Sequence, residues 1–115
     1  MREVKKIAFN GTSFPVSFNR YALGRFMRDQ GISISQMNEL PEDLETVQKL
    51  AYFGIVGGAA AETGKDPDLT YIQFCLDYAD DSEGLNLAME LFAEQQAEQD
   101  ETNTEKKPKA AANKK

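Results

Sequence analysis

Polar and apolar residues alternate with period two from Lys5 to Phe18, and the pattern then changes to helical spacing. The alternation is centred on Asn10-Gly11, a dipeptide suited to a two-residue type I′ turn because both positions tolerate positive φ. In that register Ile7 faces Phe14, Lys5 faces Val16 and Phe9 faces Thr12. Ile7, Phe9, Phe14 and Val16 then share one face with Phe18 beyond them, while Ala8, Ser13, Pro15 and Ser17 take the other. A slip of one residue would scramble this sorting. Two strands are not stable alone, so the apolar face is expected to cover the helices that follow.

Four helices are predicted after the hairpin. Asn19 is a good N-cap for a helix over about 20–30, with Ala22, Leu23, Phe26 and Met27 on one stripe and Gly31 as the closing glycine. Ile32 to Ser35 reads as a short connector, and Gln36 to Leu40 as a brief turn. Pro41 is expected at the first position of the second helix, with Glu42, Asp43 and Glu45 in its first turn. Leu44, Val47, Leu50, Ala51, Phe53 and Ile55 form its stripe, and Gly64 ends it. Asp66-Pro67-Asp68 is a turn, after which Asp68 or Thr70 caps a third helix through about Ala79. Leu69, Ile72, Phe74, Cys75, Leu76 and Tyr78 make that helix apolar around much of its circumference, which predicts a central position. Asp80-Asp81-Ser82 leads into a fourth helix over about 83–98, with Leu85, Ala88, Met89 and Phe92 on one face and Leu87 and Leu91 beside it. The expected fold class is therefore α+β, mainly α: a hairpin packed on four helices over 1–98. Ile7, Phe9, Phe14, Val16, Leu23, Phe26, Leu50, Ile72, Cys75 and Leu76 are the expected core. Residues 99–115 contain no large apolar side chain and read as a disordered, Lys/Ala-rich tail.

Composition and charge narrow the class of function. At 115 residues the chain is one small domain. No apolar run reaches the roughly 20 residues of a membrane span, and Met1 to Lys6 precede no apolar stretch of a signal peptide. A single cysteine fits a reducing cytosol. Net charge is −6, but its distribution is uneven: residues 1–28 carry +5, residues 29–105 carry −16 and the tail from 106 carries +5. The acidic middle disfavours nucleic acid as a partner. The basic N-terminal block reads as a solvated face that also pairs with acids of its own fold.

Catalytic arrangements are scarce. The chain has no histidine, so histidine-based triads and metal sites are ruled out within it. Cys75, between Phe74 and Leu76, reads as a core residue. The carboxylates at 66–68 and 77–83 lack the spacing of a calcium loop and read as caps and solvated groups. No cofactor is expected. Gly54, Gly57 and Gly58 cost helix propensity, about 1 kcal/mol each, and Gly54 with Gly58 forms a smooth strip. Close internal packing is one reading of that strip, and a groove for a partner is the other. Gly54 and Gly58, with Leu85, Met89 and Phe92 on the last helix, are the candidate partner-binding residues.

The ordered set Ile7-Ala-Phe-Asn-Gly-Thr-Ser-Phe-Pro-Val-Ser-Phe18, Tyr21-Ala-Leu-Gly-Arg-Phe26, Leu50-Ala-Tyr-Phe-Gly-Ile-Val-Gly-Gly-Ala-Ala60, Asp68-Leu-Thr-Tyr71 and Asp77-Tyr-Ala-Asp-Asp81 resembles the tail assembly chaperones of long-tailed bacteriophages. It is most similar to the small versions from phages and prophages of Bacteroidetes-type hosts, over about residues 5–98. The resemblance implies a small, acidic, mostly helical protein of the host bacterial cytoplasm without enzymatic activity. It implies binding of the tape measure protein, kept soluble while tail tube subunits polymerise around it, and absence from the mature virion. Self-association is left open. Two alternatives remain: a tail-completion or connector protein retained in the virion, and an acidic regulatory adaptor of a host protein. The resemblance also implies that a programmed frameshift can append a C-terminal extension that recruits tail tube subunits. Glu105-Lys106-Lys107 and Asn113-Lys114-Lys115 are where adenine-rich codons would lie. A lysine-rich solubilising terminus is the other reading of those residues.

Overall fold

The computed structural model describes residues 4–40 and 43–106, the side chains of 38 and 97–106 excepted. Strands β1 (Lys5–Phe9) and β2 (Thr12–Val16) form an antiparallel hairpin. Lys5 pairs with Val16, Ile7 with Phe14 and Phe9 with Thr12, the register expected from the alternation. Asn10 (φ 52°) and Gly11 (φ 84°) both adopt the positive φ that the type I′ turn requires. Helices α1 (Arg20–Gln30), α2 (Leu44–Thr63), α3 (Tyr71–Asp77) and α4 (Ser82–Lys106) follow, with a 3₁₀ turn over Ile34–Glu39 between the first two. The fold class is α+β, mainly helical.

Local chemistry sets most of the helix ends. Asn19 Oδ1 accepts the Ala22 amide at 2.9 Å and opens α1. At its other end Gly31 takes φ 68°, and the amides of Gly31 and Ile32 close back onto the carbonyls of Arg28 and Met27. Gly64, at φ 77°, ends α2. Thr70 and Gln73 form a reciprocal capping box at the start of α3, which settles the cap between Asp68 and Thr70. One start differs from expectation. The helix does not open at Pro41 with Asp43 in its first turn: Asp43 is its cap, accepting the Thr46 amide at 2.8 Å, so the helix begins at Leu44. Pro41 and Glu42 lie outside the described residues. Helix α4 is described to Lys106, beyond the expected end near 98, and the part of the expected tail from 107 to 115 lies outside the described residues.

The central helix is α2. It is buried continuously from Phe53 to Ala59 and touches β2, α1, α3 and α4. Its glycines meet the segment leaving the hairpin at backbone distance. A Cβ on Gly54 would stand 2.6 Å from the Phe18 ring, one on Gly57 would strike the Ser17 carbonyl, and one on Gly58 the Pro15 carbonyl. The Ser17 amide donates to the Gly54 carbonyl at 2.9 Å, and Asn19 Nδ2 donates to the Gly57 carbonyl at 3.1 Å. At β1, Gly84 of α4 lies against Ala8 and the Phe9 ring. The hairpin thus packs on both α2 and α4. Ser17, which the alternation assigns to the outer face, is buried against Gly54 and Gly57.

Most of the expected core is in place: Ile7, Phe9, Val16, Leu23, Phe26 and Leu50 are buried, and Phe14 is half-buried. On α3 the expectation is corrected. Ile72 is 69% and Leu76 77% exposed, and Cys75 is half-buried. At seven residues α3 is too short to be wrapped, and only Phe74 is fully inserted, its ring edge-on to Phe9 at 5.3 Å.

Two variants test this packing. Phe26→Ala is expected to cost about 3–5 kcal/mol in denaturant unfolding, because Phe26 is fully buried against Phe53. Gly58→Ala should destabilise by about 1–3 kcal/mol or more despite its better helix propensity, since its Cβ meets backbone. Gly24→Ala, which faces open space in α1, should be neutral or stabilising by up to about 1 kcal/mol.

Candidate functional site

Two of the five candidate partner-binding residues, Gly54 and Phe92, meet at one interior aromatic. Gly54 lies against one side of Phe18, and Phe92 packs edge-on to the same ring at 5.3 Å. The glycine strip is covered by residues 15–18 of the chain itself, so the groove reading of Gly54 and Gly58 gives way to internal packing. Leu85 is buried, and Met89 and Phe92 are half-buried against the core. Gln95, also buried, accepts the Phe18 amide at 2.6 Å and ties α4 to the hairpin exit. Gly54, Gly58 and Leu85 are thus enclosed in the fold, whereas Met89 and Phe92 keep part of their side chains exposed.

Large apolar side chains are exposed at Ile34, at Leu44 of α2 and at Leu87 of α4, and α3 exposes two, Ile72 and Leu76. Ile72 and Leu76 are four residues apart and so share one face, with exposed Gln73 and Asp77 beside them. Their support is firm. Phe74 is inserted beneath them, Tyr78 packs edge-on to Phe14 at 5.0 Å, and Tyr52 Oη donates to the Leu69 carbonyl at 2.7 Å. On the flank toward α2, Tyr71 lies 5.6 Å from the Tyr52 ring, and burial there pushes its phenol above the ordinary tyrosine value. Lys49 sits over the Tyr71 ring at 5.7 Å while its ammonium pairs with Asp29 at 3.0 Å.

Carboxylates surround this face in the sequence. Between Lys65 and Lys106 there is no lysine or arginine, whereas Asp66, Asp68, Asp77, Asp80, Asp81 and Glu83 are grouped around α3. Among the described residues, Asp68, Asp77, Asp80, Asp81 and Glu83 form no ion pair. Asp80 and Asp81 instead accept neutral donors of the hairpin turn. Asn10 Nδ2 donates to Asp80 at 2.6 Å and to the Asp77 carbonyl at 2.8 Å, and the Asn10 amide donates to Asp81 at 2.7 Å. Asp81 also accepts the Gly84 amide at 3.1 Å and so caps α4. These backbone donors, Asn10 foremost, hold the Asp81 carboxyl below its ordinary value.

No family model, curated protein or solved structure matches the chain. Among the described residues no group of three histidine, cysteine or acidic side chains is placed to hold a metal ion, and no helix is long and apolar enough to cross a membrane. The basic N-terminal block pairs within the fold, as expected of it. Lys5 meets Glu94 at 3.4 Å, Lys6 meets Glu62 at 3.1 Å and Arg25 meets Asp66 at 3.2 Å. Each pair is exposed and contributes at most about 1 kcal/mol. The Tyr21 hydroxyl, donating at 2.6 Å, is the main cause that lowers the Asp66 carboxyl, with Arg25 adding to it.

Because the folded values of Asp43, Asp66 and Asp81 lie below the ordinary 3.8, the stability they contribute is present above that value and lost as pH falls through the lowered ones. Thermal melts are therefore expected to hold their midpoint down to about pH 5 and to fall steeply below about pH 4. Asp81→Asn cannot titrate, so its Tm deficit relative to the parent should shrink over that acid range.

Proposed function

We propose that this protein is a non-catalytic tail assembly chaperone of a long-tailed bacteriophage or prophage, acting in the host cytoplasm on the tape measure protein. A tape measure is a long helical chain whose apolar stripes are exposed until the tube encloses it. Its holder needs a firm apolar surface that binds a helix without driving its own aggregation. The observation that carries this reading is the exposed Ile72–Leu76 pair on an anchored helix, flanked in the sequence by carboxylates that carry no ion pair among the described residues. Like charge keeps such copies apart while leaving the apolar pair open to a partner. The resemblance over residues 5–98 supplies the class of partner, and the mainly helical fold with its N-terminal hairpin is compatible with it. Tail tube subunits remain a second partner through a C-terminal extension, if the lysine codons near the end of the gene prove slippery.

Coexpression with the tape measure gene downstream is expected to keep that protein soluble, to copurify the two chains, and to leave purified virions free of this one. Stoichiometric recovery from virions would reject the chaperone reading in favour of a retained connector or completion protein. An insoluble tape measure despite abundant coexpressed partner would also reject it.

A further inference from the structure

The exposed face of α3 has a chemistry of its own that limits what can sit on it. Ile72 and Leu76 are separated by one helical turn, the repeat at which an opposing helix presents its apolar stripe. On either side of them in the sequence, Asp68, Asp77, Asp80, Asp81 and Glu83 have no cationic partner among the described residues. On the α2 side, Lys49 is engaged with Asp29 and with the Tyr71 ring.

We propose that α3 is a docking site for an amphipathic helix of a partner chain whose apolar stripe covers Ile72 and Leu76 and whose flanks carry lysine or arginine. The inference rests on the assembly-chaperone reading for the kind of chain that supplies the helix, and goes beyond it in locating the surface and naming the charge of its ligand. Charge complementarity selects this occupant. A second copy docked through the same face would bring two sets of Asp77 and its neighbours together without cations between them, and repulsion opposes that. The chain's own tail from Lys107 onward has lysines to meet the acids, but its largest apolar residues are Ala and Pro, too small to cover an isoleucine and a leucine. A basic-flanked amphipathic helix satisfies both requirements at once.

A displayed library of helical peptides, with a fixed leucine stripe and flanks randomised among Lys, Gln and Glu, tests this against the full-length protein. Selection is expected to enrich lysine flanks, and the affinity of selected peptides should fall with added salt. The double variant Ile72→Ser/Leu76→Ser should bind them at least about tenfold more weakly while melting with the parent, because both side chains are exposed. Asp68→Asn/Asp77→Asn should weaken lysine-flanked peptides and reduce the salt dependence, leaving Gln-flanked peptides unchanged. Recovery of no peptide, enrichment of neutral or acidic flanks, or unchanged binding by the serine variant would overturn the proposal. So would a parent dimer, seen by sedimentation, that the serine variant lacks. The same variant separates the two readings. A tape measure that still copurifies with it removes α3 as the docking site and leaves the chaperone role intact. Lysine-flanked selection alongside a tape measure that the parent fails to hold keeps the docking site and removes that role.

Discussion

The structure depends on a backbone-to-backbone contact between the segment leaving the hairpin and the glycine face of α2. Residues 15–19 lie directly on Gly54, Gly57 and Gly58, so close that a methyl group at any of the three would collide with backbone or ring atoms. The contact is polar as well as steric, since Ser17 and Asn19 donate to the carbonyls of Gly54 and Gly57. Asn19 does this while also capping α1, so a single side chain fixes where α1 begins and where it sits on α2. The helix propensity lost at three glycines, about 1 kcal/mol each, is the cost of that approach.

From this contact the rest of the arrangement follows. With β2 seated on α2, the outer strand β1 meets α4, where Gly84 admits the Phe9 ring. Phe18 then fills the space between Gly54 and Phe92, and Gln95 satisfies its amide. The hairpin turn reaches the junction of α3 and α4, where Asn10 binds Asp80 and Asp81. Helix α3 is left at the periphery, attached by Phe74 below and by its two ends. Its outward face is therefore a by-product of the same geometry that buries the glycines, which is why Ile72 and Leu76 stay exposed.

Charge completes the division of labour. The bases of the first 28 residues are spent partly on Glu62, Asp66 and Glu94 across the fold, whereas Asp80 and Asp81 beside α3 accept neutral donors of the hairpin turn. Under the docking proposal, such a setting favours a helix that brings cations over a second copy of the chain. The carboxylates of Asp80 and Asp81 brace the hairpin turn, and Asp81 also caps α4.

Features governed by nearest neighbours were legible in the amino-acid order. The hairpin register follows from Asn10-Gly11 and the period-two alternation around it, and Asn19, Gly31, Gly64 and Thr70 mark helix ends through bonds made within a few residues. The pairing of the basic block with acids was legible as a tendency, though not its partners. Which helix is central was not. Helices α2 and α3 are both apolar around most of their circumference, and periodicity alone cannot tell a helix that is enclosed from one that is merely apolar. The glycine strip likewise fits an internal seam and an external groove equally well until the segment lying on it is known. Both questions are decided by contacts between residues about 40 apart in the chain, and only the tertiary structure brings Pro15 onto Gly58 and leaves Ile72 and Leu76 outside.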